Sequence, residues 1–105
     1  MTAFEATSNP AVRRGVTASV RLRHAAGLHA RPAVKMAKLA KKFAARISMA
    51  TSVEGPWIDA KSIVKLMSAK TPPDSRLLFQ AEGADAQAAI EALVALVEQD
   101  FPDDV

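Results

Sequence analysis

The hydrophobic spacing changes period in mid-chain. Val16, Ala18, Val20 and Leu22 alternate with Thr17, Ser19, Arg21 and Arg23. A few residues later Met36, Leu39, Ala40 and Phe43 recur at three- and four-residue intervals. A period of two is that of a strand with one buried face, and a period near 3.6 is that of a helix with one buried stripe. The alternation returns in RISMAT through Ile47 and Met49, VEGP supplies a turn, and WIDA is short and β-prone, which together read as a hairpin. Ser62 then precedes IVKLMSAK, where Ile63, Leu66 and Met67 follow i, i+3, i+4 until Pro72 and Pro73 stop the helix. Residues 76–82 read as a last strand, and Asp85 leads a helix with Ile90, Leu93, Val94 and Val97 on one side. The order is βαββαβα. With 105 residues the chain builds one core and not two, so an α+β sandwich follows, one sheet covered on one face by helices. Residues 1–14 show no sustained periodicity and contain Ser-Asn-Pro; they are expected to form a mobile leader, with the domain over 15–105.

Composition removes several chemistries. With no cysteine there is no disulfide framework, thiolate nucleophile or sulfur-ligated zinc site. Two histidines without a carboxylate cluster make a poor metal site, so neither a metal nor a cofactor is expected. No stretch approaches eighteen consecutive apolar residues and no signal-type apolar region opens the chain, which reads as a soluble, cytoplasmic protein without a membrane partner. Net charge is only +3, yet ten Lys or Arg and no acid lie between Ala6 and Val53, and ten of the eleven acids follow. Such separation suits an acidic or phosphorylated partner. A basic nucleic-acid-binding module is the competing class, but aromatic residues are only 5% and no Gly-aromatic RNA motif is present.

The chemistry concentrates in HAAGLHARP, the loop that runs into AVKMAKLAKKFAA, a segment that reads as helix throughout. Arg31, Lys35, Lys38 and Lys42 share its outer side. His29 lies at the loop-to-helix junction, after Gly27, which permits a tight approach, and before Pro32, tolerated in a first helical turn. The N–H groups of Ala30 and Arg31 then sit at the positive end of the helix, an arrangement suited to anions, and the Arg31 guanidinium can add a charge-assisted contact to a phosphate. Imidazole is a nucleophile that forms covalent intermediates near neutral pH. The plainer alternative is that His29 only caps the helix while Arg31 is solvated. His24 lacks such a frame and is expected to be a solvated loop residue. Glu82, Asp85, Glu91 and Glu98 are spaced as a helix surface and its first turn.

Gly27-Leu28-His29-Ala30-Arg31-Pro32-Ala33 resembles the active-site motif of HPr, the histidine phosphocarrier family of the bacterial phosphotransferase system. The resemblance continues through Lys61-Ser62, Ala81-Glu82-Gly83 and the Ala/Leu/Val-rich last helix, over roughly residues 15 to 101. It implies an open-faced β-sandwich: a four-stranded antiparallel sheet covered on one face by three helices. It further implies that His29 takes a phosphoryl group from phosphorylated enzyme I on Nδ1, that Arg31 steadies it, and that a IIA domain receives it. The protein is then a covalent relay rather than a complete enzyme, expected to be monomeric, in a sugar or nitrogen-linked branch. Ser62 aligns with a serine that a dedicated kinase phosphorylates in some members, and without one it is a plain N-cap. Partner docking in the family uses the first two helices, here Ile63, Val64, Met67 and Ser68 flanked by Lys38, Lys41 and Lys65. A non-phosphorylated adaptor on the same fold is the alternative. Three departures stand out: the stiff stretch from Ala69 to Pro73, Ala26 where a small polar residue is frequent, and a long segment from Thr51 to Ile58 carrying the only tryptophan, Trp57.

Overall fold

The computed structural model describes residues 15–102, so the expected leader over 1–14 lies outside the described residues. The element order is β1 (Val16–Arg21), α1 (Ala30–Ala40), β2 (Arg46–Ala50), β3 (Ile58–Asp59), α2 (Ile63–Ser68), β4 (Arg76–Glu82) and α3 (Ala86–Glu98). The strands form one sheet in the order β1-β4-β2-β3, and every pair is antiparallel. The sheet carries its helices on one face, the open-faced arrangement that the periodicities and the resemblance imply.

Register explains which residues face the helices. Leu77, Phe79 and Ala81 of the central strand β4 are buried and alternate with half-buried Leu78, Gln80 and Glu82. Phe79 pairs with Ala18 on one side and Met49 on the other, so one layer crosses three strands. Val20 and Leu22 are buried as the alternation requires, while Val16 and Ala18, on an edge strand, are only partly covered. From the helices come Ala33, Met36, Ala37 and Ala40 of α1, Leu66 of α2, and Ala89, Ile90, Leu93, Leu96 and Val97 of α3. The alanines of α1 let that helix approach the core closely, and Leu39 and Phe43, which the spacing also assigned inward, are half-buried at its margin.

Helix α1 stops earlier than its composition suggests. The Ala-Lys-Leu-rich run reads as helix through Ala45, but the helix ends at Ala40 and tightens into a turn, with Lys42 and Phe43 N–H donating to the Leu39 and Ala40 carbonyls. The cause lies elsewhere in the chain. The Asp85 carboxylate accepts the N–H groups of both Ala44 and Ala45 at 2.8 Å, and Lys61 Nζ donates to the Phe43 carbonyl at 2.8 Å. These partners take up the backbone groups that another helical turn would use. Asp85 thus occupies the N-cap position of α3 without capping it by its side chain, a correction to its reading as a first-turn acid. The Ala44 N–H, with that of Ala45 and the Lys61 ammonium in support, holds the Asp85 carboxyl below the usual carboxylate range against the opposing effect of partial burial.

Candidate phosphoryl site

The approach to His29 is built from backbone contacts. Gly27 N–H donates to the His24 carbonyl at 2.9 Å, closing a turn over Ala25 and Ala26, and Leu28 N–H donates to the Thr71 carbonyl at 3.0 Å. Gly27 has φ +77°, and a Cβ there would stand 2.5 Å from the Thr71 carbonyl oxygen, so both the turn and the close approach require glycine. Leu28 on one side of His29 and Pro32 on the other are buried. The histidine between them is exposed.

His29 is the N-cap residue of α1, in extended conformation, and its carbonyl accepts the Ala33 N–H at 2.9 Å. Its side chain makes no capping hydrogen bond. Capping alone therefore does not account for the residue: the backbone starts the helix, and the exposed imidazole takes no part in capping it. Ala30 and Arg31 follow as the first two helical residues, both exposed, with Arg31 on the rim of a cavity of about 280 Å³ whose other walls are His24, Asp100, Phe101 and Pro102.

His24 departs from expectation. It is half-buried, its ring meets that of His29 edge to face at a centroid distance of 5.0 Å, and it meets Phe101 in the same manner at 6.1 Å. Phe101 reaches this position because the chain folds back after α3: Asp100 and Phe101 have φ of 60° and 55°, and Phe101 N–H donates to the Leu96 carbonyl at 2.9 Å. Lys35 Nζ donates to the Pro102 carbonyl at 2.9 Å, tying the end of α3 to α1. Lys35 also lines a groove on the basic face with Arg31, Val34, Lys38, Leu39 and Lys42. The sequence signal for the His24 contact is the His-Ala-Ala-Gly turn, which folds position 24 back toward 29; the Phe101 side of it has no local signal.

On α2 the outward and inward positions separate. Ser62 is the N-cap and its hydroxyl accepts the Lys65 N–H at 3.2 Å. Leu66 is fully buried, whereas Val64 is 73% and Met67 42% exposed. Lys38, Lys41, Lys65 and Ser68 are exposed as well. Ile63 is the exception among the docking candidates: it is half-buried and packs against the core, because it lies three residues before Leu66 on the same side of the helix. Trp57 donates from Nε1 to the Val53 carbonyl at 3.1 Å, which fastens the long segment to itself. Among the described residues no group of three or more His, Asp or Glu converges on a metal position, and no helix is long and apolar enough to cross a membrane.

Comparisons with known proteins agree with this arrangement. The family model described as the PTS HPr component phosphorylation site matches residues 16–99. The chain is 37% identical over 75 residues to the phosphocarrier protein HPr of Cupriavidus necator, covering 71% of this chain and 82% of that protein. It is 38% identical over 81 residues to the multiphosphoryl transfer protein of Vibrio cholerae, but spans only 20% of that longer protein's length. The crystal structure of HPr-C-His from Thermoanaerobacter tengcongensis superposes with a TM-score of 0.76 at 32% identity, covering 86% of this chain and 99% of that one. Sequence, fold and the geometry around the histidine agree: the chain belongs to the HPr family of the phosphotransferase system.

Proposed function

We propose that the protein is a phosphocarrier that accepts a phosphoryl group from phosphorylated enzyme I on Nδ1 of His29 and passes it to a IIA domain. In each transfer the donor P–N bond breaks, the donor ring keeps the electron pair, and a ring-nitrogen lone pair of the accepting histidine, Nδ1 where His29 accepts, forms the new P–N bond. The observation that carries the reading is an exposed imidazole at the start of α1 that makes no capping hydrogen bond. The positive end of the helix and the Arg31 guanidinium favour the charge that arrives with the phosphoryl group. Positioning and electrostatics are sufficient for a carrier, which needs no metal of its own.

The exposed Val64 and Met67, rimmed by Lys38, Lys41, Lys65 and Ser68, fit an apolar docking centre for acidic partners, with Ile63 supporting it from beneath. A phosphate on Ser62 would add nearly two negative charges at this rim and weaken docking, which makes Ser62 a candidate regulatory site for a serine kinase and phosphorylase. The carrier works as a monomer in the cytoplasm, where its donor is charged from phosphoenolpyruvate.

The test is incubation with enzyme I, Mg²⁺ and phosphoenolpyruvate, followed by intact mass and an acid-lability assay on wild type and His29→Ala. One acid-labile phosphate, absent from the variant, is the expected result. Arg31→Ala should transfer more slowly with folding intact. No phosphate on the wild type with its own host's enzyme I would sink the carrier reading and favour an adaptor.

A further inference from the structure

We propose that His24 is a second imidazole of the phosphoryl site, donating its Nε2–H to the phosphoryl group that His29 carries. The inference rests on the assignment of His29 as the phosphorylated residue and goes beyond it. Three observations support it. The His24 and His29 rings meet edge to face with centroids 5.0 Å apart, so a group added to the His29 ring is added beside His24. Ala26 N–H faces His24 Nδ1 at 3.4 Å, which gives Nδ1 the acceptor role and leaves the hydrogen on Nε2. His24 also lines the same cavity as Arg31, the other cationic or donor side chain expected at the phosphate. Phe101, 6.1 Å away, backs the His24 ring and limits its movement.

A donor to the phosphoryl oxygens favours the dianion over the monoanion, because hydrogen bonding to a charged form stabilises that form. The charged groups around it are Arg31 on α1, Lys35 at the Pro102 carbonyl, Asp100 across the cavity and Arg23 next in sequence. Asp103 and Asp104 follow Pro102 in the chain. All of these are common to wild type and His24 variants, so a difference between variants isolates the imidazole.

Phosphoramidate charges histidine without enzyme I: the Nδ1 lone pair forms the new P–N bond as the phosphoramidate P–N bond breaks, ammonia leaves, and the ring keeps its Nε2 proton. The ³¹P resonance of the charged protein is then followed from pH 5 to 9 in wild type, His24→Leu and His24→Gln. Leucine keeps bulk against Phe101 without a donor, and glutamine restores an N–H. The leucine variant should titrate about half a pH unit or more above wild type. Glutamine should return the midpoint more than half-way. Coincident curves for leucine and wild type, or glutamine no different from leucine, would overturn the role of His24 while leaving His29 as the carrier. Wild-type label that maps to His24 and not to His29 would overturn both assignments. Failure of transfer from enzyme I, with His29 still charged by phosphoramidate and the midpoints separated, would remove only the carrier reading.

Discussion

Replacing Gly27 with alanine tests how the loop before His29 is held. Two terms can be read from the structure. At φ +77° an alanine sits in the left-handed region, which costs an L-residue about 1–2 kcal/mol. Its Cβ would also approach the Thr71 carbonyl oxygen to 2.5 Å and two Pro72 backbone atoms to 3.2 Å, so the two loops must separate. Separation breaks the Leu28 N–H to Thr71 bond of 3.0 Å, a net loss of about 0.5–1.5 kcal/mol. Together the variant should be less stable by roughly 1.5–3.5 kcal/mol, before any loss of packing at buried Leu28. Urea unfolding followed by circular dichroism reads this as a lower midpoint at unchanged slope. Amide exchange at Leu28 should accelerate more than exchange at Met36, deeper in α1. A loss under about 1 kcal/mol with Leu28 still protected would refute the reasoning, since it would mean that the turn accepts a side chain without opening.

Three further outcomes follow from single contacts. Ser62→Ala removes the hydroxyl that accepts the Lys65 N–H and should cost about 0.5–2 kcal/mol in the same unfolding assay, most of it regained with Ser62→Asp. Thr71→Val should be neutral or stabilising, by up to about 1–2 kcal/mol, because the Thr71 hydroxyl is buried without a partner while the residue is only 5% exposed; a clear destabilisation in the melting curve would count against an orphaned hydroxyl. Asp85→Asn should destabilise in a pH-dependent way. The folded-state carboxyl titrates below its unfolded value, so its contribution is complete above the ordinary carboxylate range and is lost as pH falls through the folded-state value. Wild type and variant should therefore differ at neutral pH and converge in acid, and a difference independent of pH would exclude the carboxylate as its source.

What could be read from the sequence was whatever neighbouring residues determine. The seven elements follow from local pattern: β4 occupies Arg76–Glu82 as read, and the hairpin pairs Ser48 with Asp59 and Met49 with Ile58. The frame of His29 is also local, since Gly27, the N-cap position and Pro32 lie within six residues. Features set by distant contacts were not legible. Lys41 to Ala45 have helix-forming composition, but Asp85 and Lys61 claim the backbone groups there. His24 looks like a loop residue until Phe101 folds back against it from beyond α3. In α2, six residues are too few for a hydrophobic period to distinguish Ile63, partly inside, from Val64 and Met67, which face out.

The two ends of α1 use opposite means, and the difference bears on function. At the C-terminal end, side chains from other elements satisfy the backbone: Asp85 takes two N–H groups and Lys61 a carbonyl. At the N-terminal end the backbone is fixed by backbone, through Gly27 to His24 and Leu28 to Thr71, with Leu28 and Pro32 buried on either side. A side-chain cap at the N-terminal end, after the first pattern, would have satisfied the first-turn N–H groups, but it would also have occupied the anion position that the proposed phosphoryl group needs. Holding the loop through its main chain keeps His29 in a defined place while its ring remains available. The corollary is that substitutions in the main-chain frame, such as Gly27→Ala, should affect folding and phosphoryl transfer together. Substitutions of His29, Arg31 or His24 should alter transfer or the phosphoryl titration with the fold retained.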